Sequence, residues 1–400
     1  MGLLPVEEAL NRVLALCRPL AGVETTLAEA LGRVLVEPVV ARRTLPPWDN
    51  SAMDGYALRA AELSALGTTL RVTSTIHAGQ RPTVGVEPGT CARIMTGAPL
   101  PPGADAVVMQ EKVRAAGDQA TFDEVPRPGQ NVRRRGEDVT EGQTLLSAGS
   151  VLGIAEAGVV WSQGLDRLSI HRSPRVAIAS SGDELCDVGD EPNGRIVDTN
   201  TPVIDLLVRR AGGQPTVLGR APDRLEAVTE LFSRGLGFDV LITVSGASVG
   251  EKDFTREALT SLGVAMDFWK VAMKPGKPLA VGTRGSTLVF GLPGNPVSAM
   301  VTFELFVRPA LRALQGLPPG PPLLSGRLAS PVSKPAGLRH FARASVERRG
   351  AELWATPLQN QSSGALTSAT GASHLISVPP DVTQVSAGAL VDLVPVSWSG

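Results

Sequence analysis

Apolar and polar positions change rhythm several times along the chain. The segment VEEALNRVLALCRPL places Leu10, Val13, Leu14 and Cys17 on one helical face and stops at Pro19. Residues 34–40 (VLVEPVV) read as a strand or edge strand, because Pro38 is not tolerated in a central one. A non-periodic stretch follows at 42–57. From about 58 to 135 short strands alternate with Gly/Pro turns: Leu70, Val72, Ser74 and Ile76, then 91–96, 106–109 and 120–125. Residues 151–163 read as helix again, so the β unit is expected to be inserted into a more helical first domain.

The rhythm differs from 175 to 316. Apolar strand candidates at 175–180, 215–219, 239–244, 279–282 and 287–290 alternate with helical stretches at 200–211, 223–235, 253–262 and 296–314. That alternation predicts an open, mostly parallel α/β sheet covered by helices on both faces. A proline-rich linker at 317–323 leads to short strands and turns over 325–400, read as a small all-β domain.

Composition narrows the picture. The 400 residues carry 38 Lys+Arg against 39 Asp+Glu, a formal charge of −1, which gives no whole-protein field for nucleic acid or an anionic membrane. No apolar run reaches the roughly 18 residues of a membrane span. Glu7 and Glu8 within the first apolar segment do not suit a signal peptide, so a soluble cytoplasmic protein is expected. Three distant cysteines (Cys17, Cys91, Cys186) and four scattered histidines fit neither a disulfide framework nor a zinc cluster. Cys186 reads as a buried structural thiol. Lysine occurs only six times, yet Lys270, Lys274 and Lys277 fall within eight residues. That cluster is either a solvated turn or a set of compact charges kept for an anion.

In an open parallel sheet, ligands bind beyond the carboxyl ends of the strands. The loops there are SSGDEL (180–185), SGASVG (245–250) and GLPGNP (291–296), and small-residue loops at helix starts suit phosphates and carboxylates. They make Ser181, Gly182, Ser245, Gly246, Ser248, Pro293 and Asn295 candidate substrate-binding residues. Neither a Walker loop nor GxGxxG is present. Asp183, Glu184 and Asp253 are ordinary turn residues or hard oxygen ligands suited to Mg²⁺ rather than zinc. Asp223 occupies an N-cap position. In DNSAMDGYA (49–57), Asp49, Asn50 and Ser51 suit Asx turns and Asp54-Gly55 a turn pair. Thr96 lies on a Gly-Ala-Pro turn, and NVRRRGED (131–138) reads as a solvated basic run.

Together the strings PPWDNSAMDGYA, RIMTGAPLPPGADAVV, PGQNVRRRGEDV, SSGDEL, VSGASVGEKDF, FWKVAMKPGKP, GLPGNPVSAM, and LRHFAR with QSSGALTSAT resemble the molybdopterin molybdenumtransferase family, related to the C-terminal part of gephyrin. The resemblance spans nearly the whole chain and departs mildly. Ser245-Gly246 stands for a double glycine, Ser181 for a common threonine, and SSG for the usual GSG at Ser363.

The resemblance implies a multidomain α/β plus β architecture. An elongated split N-terminal domain covers 1–45 with 138–172, and an inserted β-rich domain covers 46–137. A central molybdopterin-binding α/β domain spans 173–316 and a small C-terminal β domain 324–400. It implies an enzyme that takes adenylylated molybdopterin and molybdate and, with Mg²⁺, inserts molybdenum and releases AMP. It also implies a homodimer whose active cleft lies between the α/β domain of one subunit and the inserted domain of the other. Contact with a molybdopterin adenylyltransferase follows from the same reading. Carried over by position, the catalytic residues are Asp54, Thr96, Asp138, Lys270 and Lys274, with Asp223 and Ser363 binding substrate and Glu184 and Asp253 holding metal. Cleaving a phosphoanhydride calls for charge neutralisation, which carboxylate-held Mg²⁺ and ammonium groups supply. Two alternatives are a molybdopterin adenylyltransferase, which 175–316 alone resembles, and a non-enzymatic gephyrin-like scaffold.

Overall fold

The structure, a computed structural model, describes residues 3–191, 193–245, 254–320 and 323–399. Contacts group the chain into two compact units. One holds residues up to 25, 32–36 and 169 onward; the other holds 26–31 and 37–168. The segment 1–45 is thus divided between them.

The first unit is built on a six-stranded sheet in the order Gln214–Ala221, Arg175–Ser181, Val240–Ser245, Thr287–Pro293, Ala280–Arg284 and Ala265–Phe268. The first four strands run parallel, and the last two pair antiparallel. Alternate residues feed two cores, as a strand's period of two requires. Val176, Ile178, Ile242 and Phe290 face one core, which also takes the helices Asn200–Arg210 and Arg308–Leu314. Ala177, Ala179, Leu241 and Val289 face the other, beneath Leu225–Gly235 and Phe254–Ser261. Burial on both sides explains why these strands read as continuous apolar runs. The N-terminal helix Val6–Leu16 lays Val6, Ala9 and Val13 into the first of these cores.

The expected single helix at 296–314 is interrupted. Pro296–Thr302 and Arg308–Leu314 are α-helical, joined by a π turn at Phe303–Val307. Pro309 has no N–H to return to the preceding turn, which favours the wider winding there. Glu304, buried in that turn, accepts from the Ser397 N–H (3.0 Å) and hydroxyl (2.6 Å) and pairs with Arg308.

Within the same unit the C-terminal strands Arg339–Arg349, Glu352–Pro357, Leu324–Leu328, Leu390–Pro395 and His374–Val378 are neighbours in that order. His374–Val378 returns to pair with Arg339–Arg349, so the sheet closes into a five-stranded barrel. Met273–Lys274, from the lysine-rich segment, adds alongside as a sixth strand parallel to Arg339–His340.

The second unit holds another six-stranded sheet, in the order Ala106–Met109, Gly55–Leu58, Thr90–Ile94, Thr68–Ile76, Gln119–Phe122 and Val113–Ala116. Gly55–Leu58 begins inside the stretch that lacked any period and ends one residue past it. It is buried on both faces and only four residues long, so it carries no alternation. Gly55 is required by close approach: a Cβ there would lie 2.1 Å from the Val108 carbonyl oxygen. The cysteines Cys17, Cys91 and Cys186 are all buried and free. Burial pushes the Cys17 thiol up to about 11 and that of Cys91 to about 12.

Gly55→Ala should therefore force the two strands apart and cost about 1–3 kcal/mol or more. Gly67→Ala, with φ +80° but open space around it, should cost about 1 kcal/mol. Urea midpoints of the two variants check the difference.

Candidate functional site

Three parallel strands end side by side, with Ser181 opposite Ser245 and Ser245 opposite Pro293. The chain leaves Arg175–Ser181 toward Gln214–Ala221 on one side and returns to Val240–Ser245 on the other, which opens a crevice at the strand ends. A cleft of about 660 Å³ lies there. Ser180, Ser181, Glu184, Asp198, Asn200, Ser245 and Asn295 supply its polar lining, and Gly364 and Leu366 enter from the barrel.

The loop after the first strand turns on Gly182, at φ +150°. A Cβ at Gly182 would come within 2.6 Å of a Glu184 carboxylate oxygen, so glycine lets that carboxylate fold back over the loop. Beside it Asp183 and Asp223 bond reciprocally. The Asp183 N–H donates to Asp223 Oδ2 at 3.4 Å, and the Asp223 N–H to Asp183 Oδ1 at 3.2 Å. This corrects the capping reading of Asp223: the helix begins at Leu225 with Arg224 at the cap, and Asp223 ties two loops together instead. These groups are hard oxygen donors, but among the described residues no three His, Cys, Asp or Glu side chains converge on one point. Asp253, Gly246 and Ser248 lie outside the described residues.

Asp198 and Asn200 belong to the cleft and were missed in the sequence. Asp198 accepts from the Thr201 N–H (3.0 Å), the Thr201 hydroxyl (2.6 Å) and the Ser180 hydroxyl (3.2 Å). Asn200 Nδ2 donates to the Gly294 carbonyl at 2.7 Å and so holds the GLPGNP loop. The string DTNTP ahead of an apolar helical run is a helix-start signal that marks this corner. Asn295 precedes Pro296 at the next helix start and makes no side-chain cap. The Val297 N–H donates to the Ser363 carbonyl at 3.2 Å, which brings Ser363 to the rim.

Of the lysine segment, only Pro278 lines the cleft. Lys270 and Lys274 are both exposed, and Lys274 sits on the barrel edge beside His340. Two residues further along that strand from Phe341, Arg343 is fully buried. Its Nη2 donates to the carbonyls of Asn360 (3.0 Å) and Ser362 (3.1 Å), while Nε and Nη1 have no partner. This buried cation, next to the loop that carries Ser363, was also missed, because arginine is the default base of this composition.

In the other unit Asp54 Oδ1 accepts from the Thr96 N–H (2.7 Å) and hydroxyl (2.9 Å). These two bonds, with the Arg93 charge, hold the exposed Asp54 carboxyl below the usual carboxylate range. The Thr96 turn is docked through Gly97 N–H to the Ser51 carbonyl and Ser51 N–H to the Ala98 carbonyl. Ser51 makes the expected local turn with Met53. Asp49 does not: it accepts from Arg134 Nη1 (2.7 Å) and the Arg135 N–H (2.8 Å), so one arginine of the exposed basic run is also an ion-pair partner. Asp138 is exposed, its N–H on the Leu45 carbonyl. Asp54, Thr96 and Asp138 thus belong to one unit, and the cleft and both lysines to the other.

Three family models match the chain in succession: MoeA N-terminal region (domain I and II) over 4–164, probable molybdopterin binding domain over 177–313, and MoeA C-terminal region (domain IV) over 325–396. A Mycobacterium tuberculosis protein named molybdopterin molybdenumtransferase 2 is 37% identical over 388 residues, covering 93% of this chain and 94% of its own. The chain belongs to the molybdopterin molybdenumtransferase family. A family member from Haemophilus influenzae is 39% identical over 322 residues, 79% of each chain. The family fold agrees as well: a crystal structure of a molybdopterin biosynthesis MoeA protein from Pyrococcus horikoshii superposes with a TM-score of 0.86 at 29% identity, covering 98% of this chain and 99% of that one. Among the described residues no helix is long and apolar enough to cross a membrane.

His340 links the barrel to pH. Burial, and then the charges of Lys274, Lys334 and Arg343, push its imidazole down to about 4. The unfolded chain binds the extra proton between pH 6.5 and about 4, so stability is full above 6.5 and falls as pH drops through that window. The loss should reach at most about 3 kcal/mol. Urea melts at pH 7 and 4.5 should show a smaller difference for His340→Gln than for the wild type.

Proposed function

We propose that the protein is a molybdopterin molybdenumtransferase, which takes adenylylated molybdopterin and molybdate, releases AMP and leaves molybdenum on the dithiolene sulfurs. The observation that carries this reading is the cleft at the strand ends, with carboxylates and hydroxyls set among apolar walls, in a chain that matches a named transferase over nearly its full length. An adenylyltransferase reading accounts for 177–313 only and leaves the matches on either side unused. A scaffold reading gives no reason for the oxygen-rich cleft.

In this reading the cleft takes the pterin, and Ser181, Gly182, Ser245, Gly246, Ser248, Pro293 and Asn295 bind the substrate. Glu184 and Asp253 would hold Mg²⁺, an ion usually bound through one or two carboxylates. Bound there, Mg²⁺ neutralises charge on the phosphoanhydride. Asp183 and Asp223 keep the Glu184 loop in shape through their reciprocal bonds. Arg343, with two unpartnered guanidinium nitrogens, and the lysines Lys270 and Lys274 supply positive charge for the oxyanion, and Ser363 borders it. Asp54, kept ionised by Thr96, orients substrate or water together with Asp138. A cytoplasmic homodimer completes the proposal, in which one subunit supplies the cleft and its partner supplies Asp54, Thr96 and Asp138. The substrate would be handed over by a molybdopterin adenylyltransferase.

The test is AMP release from adenylylated molybdopterin with and without molybdate and Mg²⁺; release that ignores molybdate would sink the proposal. Glu184→Gln should raise the Mg²⁺ requirement on the order of 10–100-fold. Asp54→Ala and Lys274→Ala should each be inactive alone. Mixed under subunit exchange they should recover part of the activity, and no recovery after verified exchange would remove the shared cleft.

A further inference from the structure

We infer that Asp198 is a specificity-determining residue that reads the amino edge of the pterin ring. The inference rests on the transferase reading. Asp198 lines the cleft, and its carboxylate is fixed before any ligand arrives. Thr201 N–H bonds Oδ1, the Thr201 and Ser180 hydroxyls bond Oδ2, and the Asp198 N–H is held by the Cys186 carbonyl at 2.9 Å. An ionised carboxylate offers about four acceptor positions, so one remains on Oδ1 for a ligand.

The surroundings indicate what kind of ligand. Among the described residues lining the cleft there is no Lys, Arg or His, whereas Glu184 and Asp198 are both there. A phosphate placed directly against Asp198 would meet the like charge of its carboxylate. The apolar share of the lining comes from Leu185, Ile196, Val197, Val244, Pro278 and Leu366. Apolar walls around a preset acceptor suit a flat, uncharged heteroaromatic ring with N–H donors. The pyrimidine edge of a pterin, with its 2-amino group and N3–H, has that chemistry. Asn200, by holding the Gly294 carbonyl, keeps the opposite loop in place.

A bland role for Asp198 is to start the helix Asn200–Arg210, which asparagine does equally well. Asp198→Asn separates the two roles, since the amide presents N–H donors or a weaker, neutral oxygen to the ring. We expect the variant to melt with the wild type and to bind adenylylated molybdopterin at least tenfold more weakly. Its kcat at saturation should stay within threefold. Competition by 6-hydroxymethylpterin against 6-hydroxymethyllumazine, in which oxygen replaces the 2-amino group, reads the same contact without any substitution. Wild type should prefer the pterin about tenfold and the variant should not discriminate. Substrate affinity within twofold of wild type in a folded Asp198→Asn protein overturns the inference. So does a wild type that holds pterin and lumazine alike, which decides the matter even if the variant fails to fold. Molybdate-dependent AMP release by the wild type is scored separately, so a failure of the transferase reading is not mistaken for a failure of Asp198.

Discussion

The cleft depends on three parallel strands ending in register at Ser181, Ser245 and Pro293. Parallel pairing leaves the loops of all three on one edge, and burial on both faces prevents the register from slipping. A one-residue slip would exchange Ile178 and Ile242 with Ala177 and Leu241 between two differently shaped cores. Everything polar at the site is hung from those three ends: the Gly182 turn, the Asp183–Asp223 clasp, and the Asp198 and Asn200 ties to Ser180 and Gly294. The described part of the site is supported by backbone register and local hydrogen bonds, not by long flexible side chains.

Charge is distributed differently from shape. Among the described residues the carboxylates gather in the cleft of the α/β domain, whereas Lys274 and the buried Arg343 belong to the barrel. A guanidinium with two unpartnered nitrogens is costly to bury. Thr96 performs the converse service for Asp54, with two donated bonds that keep an exposed carboxyl ionised.

Much of this was legible in the chain. The apolar runs RVAIAS and DVLITV announced buried parallel strands, and the small-residue loops after them marked the edge where the cleft lies. What was illegible has physical causes. Gly55–Leu58 is too short and too evenly buried to show a period. Asp223 has the sequence position of a cap but spends its backbone N–H and a carboxylate oxygen on a loop forty residues away. Asp49 likewise pairs with Arg134, eighty-five residues on. Arg343 was hidden by a composition in which arginine is everywhere, so only burial distinguishes it. Local pattern reports periodicity well; it cannot report which distant partner a polar side chain chooses.

The pairing of Met273–Lys274 with Arg339–His340 bears on how such a protein can change over evolutionary time. A strand donated by the α/β segment is stitched to the barrel, while Gly364 and Leu366 return the favour by entering the α/β cleft. The two folds are therefore sewn together in both directions. A gene rearrangement that removed or exchanged the last domain would leave an edge strand without its neighbour and a pocket without a wall. Recombination should accordingly preserve the stretch from 173 to the end as one heritable block, even though it contains two separate architectures.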